Sequence, residues 1–462
     1  MTKRTWVTVG ITLQATLSLA ADLPNAVTHA DFPIPSATSV LLGRDLFYDP
    51  ILSGNRNIAC ATCHHPDLGT SDAMSLSIGE GGVGLGLHRV VDPNNPPPSR
   101  IPRNAPALFN VGALEYTVMF HDGRLEMDDS APYGIKMPSG AALERPLPHA
   151  VHAQAMMPPT SNDEMAGEAG ENSVANAIAA GKIRGMYGAW NQLAARVNDI
   201  PEYRRQFDWI IGPDEPVHMT DIARAIGDFI TFEFRATDSP FDRFLEGDES
   251  ALTPDQRAGM DLFYGKAACS SCHSGKFQTD HGFHAIGMPQ IGPGKAADHS
   301  YADYGRFDVT GDPADMFKFR TPSLRNVTLS APYGHAGAFA DLEDVIRHHL
   351  DPFTSLAEYK LEGKALLHDV ALEHEDDTIL RDYDAMLTLA VSNEIVPVRL
   401  TDAEIDQLLA FLTALEDRSF LTERLGVPET VPSGLPLDPR PAQSELEAIT
   451  MKPRLISGLP SR

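Results

Sequence analysis

Apolar residues recur at helical spacing in several separate stretches of the chain. Ile405, Leu408, Leu409, Leu412 and Leu415 follow one another at intervals of one and three residues, which places them on one face of an α-helix. Thr401-Asp402-Ala403-Glu404, just ahead, is a capping box: a Thr hydroxyl for a free first-turn amide, and a Glu three residues on that reaches back to the cap. Thr253-Pro254-Asp255-Gln256 has the same form with proline in the first turn, and it feeds the run from Met260 to Tyr264. Helical periodicity also marks Met186 to Val197 and Thr220 to Phe234. Between these stretches lie Gly/Pro-rich segments, Asp92 to Pro106 and Gly287 to Gly294, long enough that they should pack on whatever the helices enclose. The predicted fold class is mostly α, with long loops.

The pattern is written twice. Asp45-Leu46-Phe47-Tyr48 returns as Asp261-Leu262-Phe263-Tyr264. Pro106-Ala107-Leu108-Phe109-Asn110-Val111, leading to His121-Asp122-Gly123, returns as Pro322-Ser323-Leu324-Arg325-Asn326-Val327, leading to His335-Ala336-Gly337. Repetition over this range argues for two tandem domains. They are expected over 33–246 and 247–425, parted at the polar Gly247-Asp248-Glu249-Ser250, with an extended Pro-rich tail over 426–462.

Each half carries one Cys-x-x-Cys-His stretch, Cys60-Ala61-Thr62-Cys63-His64 and Cys269-Ser270-Ser271-Cys272-His273, and these use all four cysteines. Thiols three positions apart can form thioethers to the two vinyl groups of one haem, and the histidine that follows can ligate its iron. A zinc site built from two Cys pairs, or thioredoxin-like redox pairs, are the competing readings. Neither accounts for a histidine directly after both pairs. Two covalently bound haem c groups are therefore the expected cofactors.

At 462 residues the chain has room for two or three domains. Its net charge of −26 argues against a nucleic-acid surface and permits a basic redox partner. Lys3 and Arg4 precede an uncharged stretch from Thr5 to Ala21 that ends in small residues, the form of a secretory signal over 1–21, with an N-terminal membrane anchor as the alternative. No later stretch is long enough to span a bilayer. Haem c is attached on the export side of the bacterial membrane, so a periplasmic protein without a membrane span after signal cleavage is expected.

Over about residues 33 to 420 the chain resembles the bacterial di-haem cytochrome c peroxidase family, including its MauG-like branch. Gln154-Ala155-Met156-Met157-Pro158 followed by Glu164, together with Arg103-Asn104-Ala105-Pro106, Phe120-His121-Asp122-Gly123-Arg124 and Leu329-Ser330-Ala331-Pro332-Tyr333, carries the likeness. The resemblance implies two cytochrome c-like haem domains. His64 would be the proximal ligand of a peroxide-reactive haem and His273 that of an electron-transfer haem. Gln154 and Glu164 would face bound peroxide as catalytic groups, since O–O cleavage needs a proton moved between the oxygens; a solvent-exposed loop acid is the competing reading for Glu164. Asn104, Ser330 and Pro332 match the family's calcium positions, oxygen donors that suit a hard cation, although Asn and Pro also mark plain turns.

Departures from the family pattern carry expectations of their own. Where the transfer haem's second axial ligand is Met or Tyr in the family, this chain has His349, which implies a bis-histidine iron of lowered potential. His348 is the alternative ligand, and a surface pair of histidines the bland reading. His121 stands where the family commonly has a tryptophan between the haems, and a structural histidine bonded to a haem propionate is equally compatible. The segment from Ser75 to Gly82 lacks the family's distal histidine, so an open reactive iron is expected. His88 is the only local substitute, and His65 a neighbour of the ligand. The expected activity is reduction of hydrogen peroxide with electrons from a small periplasmic redox protein. Oxidation of residues of a partner protein is the second hypothesis, and a non-catalytic di-haem electron carrier, which would need His88 on iron, the third. A homodimer is among the expected assemblies.

Overall fold

The computed structural model describes residues 23–140, 143–295, 301–364, 370–419 and 424–439, so the expected signal over 1–21 lies outside it. The chain is mostly helical, and the elements that position the candidate site are α1 (Ala37–Tyr48), α2 (Ala150–Gln154), α3 (Met219–Glu233), α4 (Pro240–Leu245), α5 (Pro254–Phe263), α6 (Leu342–Leu350) and α7 (Asp402–Ala414). Both capping boxes read from the sequence form: the side chains of Thr253 and Thr401 accept from the amides of Gln256 and Glu404. The helix expected from Met186 begins only at Ala189, with Gly188 as its N-cap, and Met186 lies outside it at the surface. Gly185 ahead of it takes a φ of 83°, a left-handed turn that interrupts any earlier helix.

The repeat in the sequence is a repeat of one packing unit. α1 crosses α3, and α5 crosses α7. Each crossing runs over a glycine: a Cβ on Gly43 would lie 1.8 Å from the Ala225 carbonyl oxygen, and one on Gly259 the same 1.8 Å from that of Gln407. Only glycine lets the two backbones approach so closely. Beside each crossing an aromatic pair interlocks, Phe47 with Phe229 and Phe263 with Phe411, both at 5.2 Å between ring centroids. The Asn of each Pro-x-Leu-x-Asn-Val stretch then clasps the end of the crossing helix. Asn110 donates its backbone amide to the Phe234 carbonyl (2.9 Å) and accepts, on its side chain, from the Ala236 amide (2.7 Å). Asn326 does the same with Leu415 (3.2 Å) and Asp417 (2.6 Å). Both take a left-handed φ, 61° and 57°, which asparagine tolerates better than other side chains.

The larger apolar core gathers Leu46, Phe47, Trp190, Phe207 and Phe229; the smaller one holds Phe263, Phe411, Leu412 and Leu415. Phe241 of α4 belongs to the smaller core, so that core draws on residues ahead of the polar 247–250 stretch. A three-stranded antiparallel sheet, Val118–Met119, Leu125–Met127 and Ile135–Lys136, makes Phe120 to Arg124 the turn of a hairpin. From Arg424 to Pro439 the chain runs back over the larger core without forming a helix, burying Val431 and packing Leu425, Val427, Leu435 and Leu437 against it. Among the described residues no helix is long and apolar enough to cross a membrane.

Candidate functional site

Each Cys-x-x-Cys stretch is a single helical turn, Cys60–Cys63 and Cys269–Ser271, with its histidine just beyond. His64 Nδ1 lies 3.1 Å from the Thr70 carbonyl, and His273 Nδ1 lies 3.1 Å from that of Gln278. A carbonyl on Nδ1 fixes the ring and directs Nε2 away as the free ligand atom, the usual support of a metal-bound histidine. None of the four cysteines forms a disulfide. Among the described residues the one cluster of metal-ligating side chains is Cys272, Asp280 and His284. The two Cys pairs do not meet in it, so the zinc reading built from both pairs has no site.

At the second stretch α6 brings His349 over His273, with ring centroids 6.3 Å apart. Metal–imidazole bonds of about 2 Å on both sides of one ion separate the centroids by roughly 6 Å, so the gap fits an iron between the two rings. His349 Nδ1 is tied to the Val345 carbonyl at 2.8 Å, again leaving Nε2. Its neighbour is differently engaged: His348 is buried, with Nε2 2.9 Å from the Ile286 carbonyl and Nδ1 3.0 Å from the Ser355 hydroxyl. Successive helical residues point about 100° apart, and here one turns to His273 while the other is held by a loop carbonyl and by a hydroxyl of the following helix, Pro352–Glu358.

Among the described residues no second histidine faces His64 as His349 faces His273, and His88 is exposed. The segment from Ser75 to Gly82 is buried throughout and pinned in place. Arg89 donates to the carbonyls of Ile78 and Gly79, and the Glu80 amide donates to the Asp163 and Glu164 carbonyls (3.2 and 3.0 Å). That last contact fixes the wide helical turn Asn162–Ala166, which presents Glu164. Glu164 and Asp163 line one side of a cavity of about 620 Å³, whose wall also carries Met157, Arg103, Arg124 and Lys295. Burial pushes the Glu164 carboxyl above its ordinary value, with Arg124 and Lys295 pulling the other way. Gln154 ends α2, and its Oε1 is buried with no hydrogen-bond partner. Buried polar atoms are seldom left so; Gln154 itself is not among the residues that line the cavity.

Between the two stretches lies a charged, buried knot. Arg103 bridges Asp303 (2.6 and 2.7 Å) and Asp122 (2.6 Å), and Arg124 adds a further bond to Asp122 at 2.9 Å. Against the upward push of burial, the two guanidiniums hold Asp122 down to about 2. His121 sits in the hairpin turn with Nε2 3.3 Å from the Asn104 carbonyl, and the Asn104 amide donates to the His335 carbonyl at 2.8 Å. Burial, reinforced by Arg103 and His335, lowers His121 to about 3, so its ring is neutral. Asn104 is buried and directs its side-chain amide to the carbonyls of Met74 (2.9 Å) and Ser75 (3.3 Å). Ser330 closes a turn on the Val327 carbonyl at 3.2 Å, with Pro332 two residues on. Asp303 and Lys295 were not anticipated from the sequence. They lie on a long loop of the C-terminal half, and nothing in their local pattern says that the loop reaches the hairpin.

Residues 37–250 match the model of a family described as di-haem cytochrome c peroxidase. The methylamine utilization protein MauG of Methylorubrum extorquens is 30% identical over 331 residues, covering 71% of this chain and 72% of that protein. Cytochrome-c peroxidase IdrP1 of a Pseudomonas species (strain SCT) is 27% identical over 405 residues, 79% of this chain and 90% of its own. Among solved structures, a MauG-like protein associated with microbial copper homeostasis is 27% identical, with a TM-score of 0.56 over 90% of this chain and 99% of that one.

Proposed function

The chain belongs to the di-haem cytochrome c peroxidase family, and from that premise we propose a periplasmic di-haem enzyme that reduces hydrogen peroxide with electrons from a small redox protein. In this reading two tandem domains, 33–246 and 247–425, each hold one haem c. Cys60 and Cys63 would hold one through thioethers and Cys269 and Cys272 the other. His64 would hold the first iron. His273 and His349 would hold the second. The observation that carries the reading is an asymmetry: His349 faces His273 at 6.3 Å between ring centroids, while among the described residues no histidine faces His64 in the same way, and Glu164 lines a cavity of about 620 Å³.

Haem supplies the iron that exchanges electrons with peroxide; the chain supplies the proton chemistry. The overall change is H₂O₂ with two electrons and two protons to two waters. The Glu164 carboxylate takes a proton from one peroxide oxygen and returns it to the other, which leaves as the first water when the O–O bond breaks; the oxygen left behind takes up the two electrons and two protons and becomes the second. Gln154 Oε1, an unfilled acceptor, holds the peroxide hydrogen and so orients the O–O bond. Burial raises the Glu164 carboxyl, which favours its taking up a proton, and Arg124 and Lys295 act in the opposite direction. His121, neutral and held by the Asn104 carbonyl, is a positioning residue between the sites. Asn104, Ser330 and Pro332 are proposed to hold calcium through oxygen donors.

A second reading keeps the peroxide chemistry and changes the reductant to a residue of a partner protein. It is favoured by His349, because exchanging Met for His on a haem lowers its potential and makes it a poorer match to a high-potential donor. Electron paramagnetic resonance of the fully oxidised protein tests the common core. A high-spin signal that vanishes with one equivalent of hydrogen peroxide, beside an unchanged-ligand low-spin signal, is expected. Two low-spin signals indifferent to peroxide would point instead to a carrier. Steady oxidation of a reduced small cytochrome c by peroxide then separates the first reading from the second.

A further inference from the structure

The two attachment loops differ in what covers them. Thr62, between Cys60 and Cys63, is fully buried, and its hydroxyl donates to the carboxylate of Asp438 at 2.5 Å. The same hydroxyl accepts from the Ala59 amide at 3.0 Å, capping the turn that carries the cysteines. The equivalent Ser271, between Cys269 and Cys272, is exposed and bonds within its own loop, to the Ala268 carbonyl at 2.7 Å.

Asp438 reaches Thr62 because the segment before it is anchored on the N-terminal half at two buried acids. Arg424 donates to the carbonyls of Glu233 and Arg235, and the amides of Leu425 and Gly426 donate to the Glu233 carboxylate at 3.1 and 3.0 Å. Further on, the Ser433 hydroxyl donates to Asp49 at 2.7 Å, beside the Tyr203 hydroxyl on the other oxygen at 2.7 Å. Glu233 and Asp49 are 1% and 0% exposed, so part of what balances each buried charge comes from this segment. Leu435 and Leu437 press the last stretch onto the apolar core that includes Cys60 and Cys63 at its edge.

We propose that residues 424–439 form a strap that seals the first attachment loop against other molecules. Small one-electron reductants then deliver their electron directly to the second site, and the first is reduced by internal transfer. The proposal rests on the reading of Cys60 to His64 and Cys269 to His273 as haem attachment loops. A strap anchored on Glu233 and Asp49 and ending on the loop itself is the geometry a cover requires; a tail serving the core alone would need no contact with Thr62.

The test uses the full-length holoprotein, its Asp438→Ala variant, and the double variant Leu435→Asp, Leu437→Asp, which lifts the end of the strap while keeping both anchors. Mass spectrometry of each first establishes two attached haems, so that a protein without haem on Cys60 and Cys63 overturns the underlying reading separately from the strap. Hydrogen exchange of residues 58–64 is then measured, along with the stopped-flow reduction of each haem by a small inorganic complex that donates one electron per ferric iron. In the double variant, exchange over 58–64 should rise by at least about tenfold. Direct reduction of the first haem should accelerate several-fold while the second keeps its rate, with Asp438→Ala intermediate. Unchanged exchange would show that the segment does not cover the loop. Faster exchange with unchanged reduction would show that it covers the loop without insulating it. Either result overturns the proposal.

Discussion

At the scale of single residues the site is decided by which atoms of a side chain are already engaged. His348 and His349 are adjacent in sequence, and hydrogen bonds distinguish them as candidate ligands: His348 has both ring nitrogens engaged, while His349 has Nδ1 engaged and its ring facing His273. The sequence singled out His349 through its resemblance to a family, and named His348 as the alternative because residue type alone does not separate them. The partners of His348, the Ile286 carbonyl and the Ser355 hydroxyl, come from other segments of the chain. Replacing His349 by Met should raise the potential of the low-spin haem in a redox titration, whereas His348→Ala should leave its spectrum low-spin. Glu164→Gln should slow the reaction with peroxide by about 10² to 10⁴ in stopped-flow. It should also remove an acidic limb that lies above the ordinary carboxylate range, because the base form is lost as pH falls through a raised pKa. Buried neutral His335, lowered to about 4 from 6.5, acts on stability in the same pH direction. The unfolded chain takes the proton first, so stability is complete above pH 6.5 and falls toward pH 4. His335→Phe, which can keep the stack on Phe319, should flatten that fall by about 1.4 kcal/mol per pH unit in pH-dependent denaturation.

At the scale of elements, helix positions were legible because capping and apolar spacing are local. The twofold repeat was legible as words. Its meaning was not, since the partners of Gly43 and Gly259 are carbonyls of Ala225 and Gln407, far along the chain. The same holds for Asn110 and Asn326, which the sequence shows only as members of the repeat and which act as clasps on the ends of α3 and α7. Gly43→Ala and Gly259→Ala should each force their helices apart and cost about 1–3 kcal/mol or more in urea denaturation. Matching losses at the two positions are the signature of a duplicated unit; a loss at one alone would argue against it.

At the scale of the whole molecule the halves are tied by groups that no local pattern announces. Arg103 joins the hairpin turn at Asp122 to the loop carrying Asp303, and all three side chains are buried. Arg103→Ala leaves two carboxylates without their main counter-charge and should cost about 3–5 kcal/mol by denaturant titration. The tail was read as extended from its prolines; its course over the larger core depends on Asp49 and Glu233, which lie far ahead of it in the chain. That course bears on assembly. Residues 424–439 emerge from the ribosome after the half of the molecule on which they pack. The first Cys-x-x-Cys-His loop therefore stays uncovered until that segment has been made, leaving an interval in which a group can be attached there before the fold locks over it.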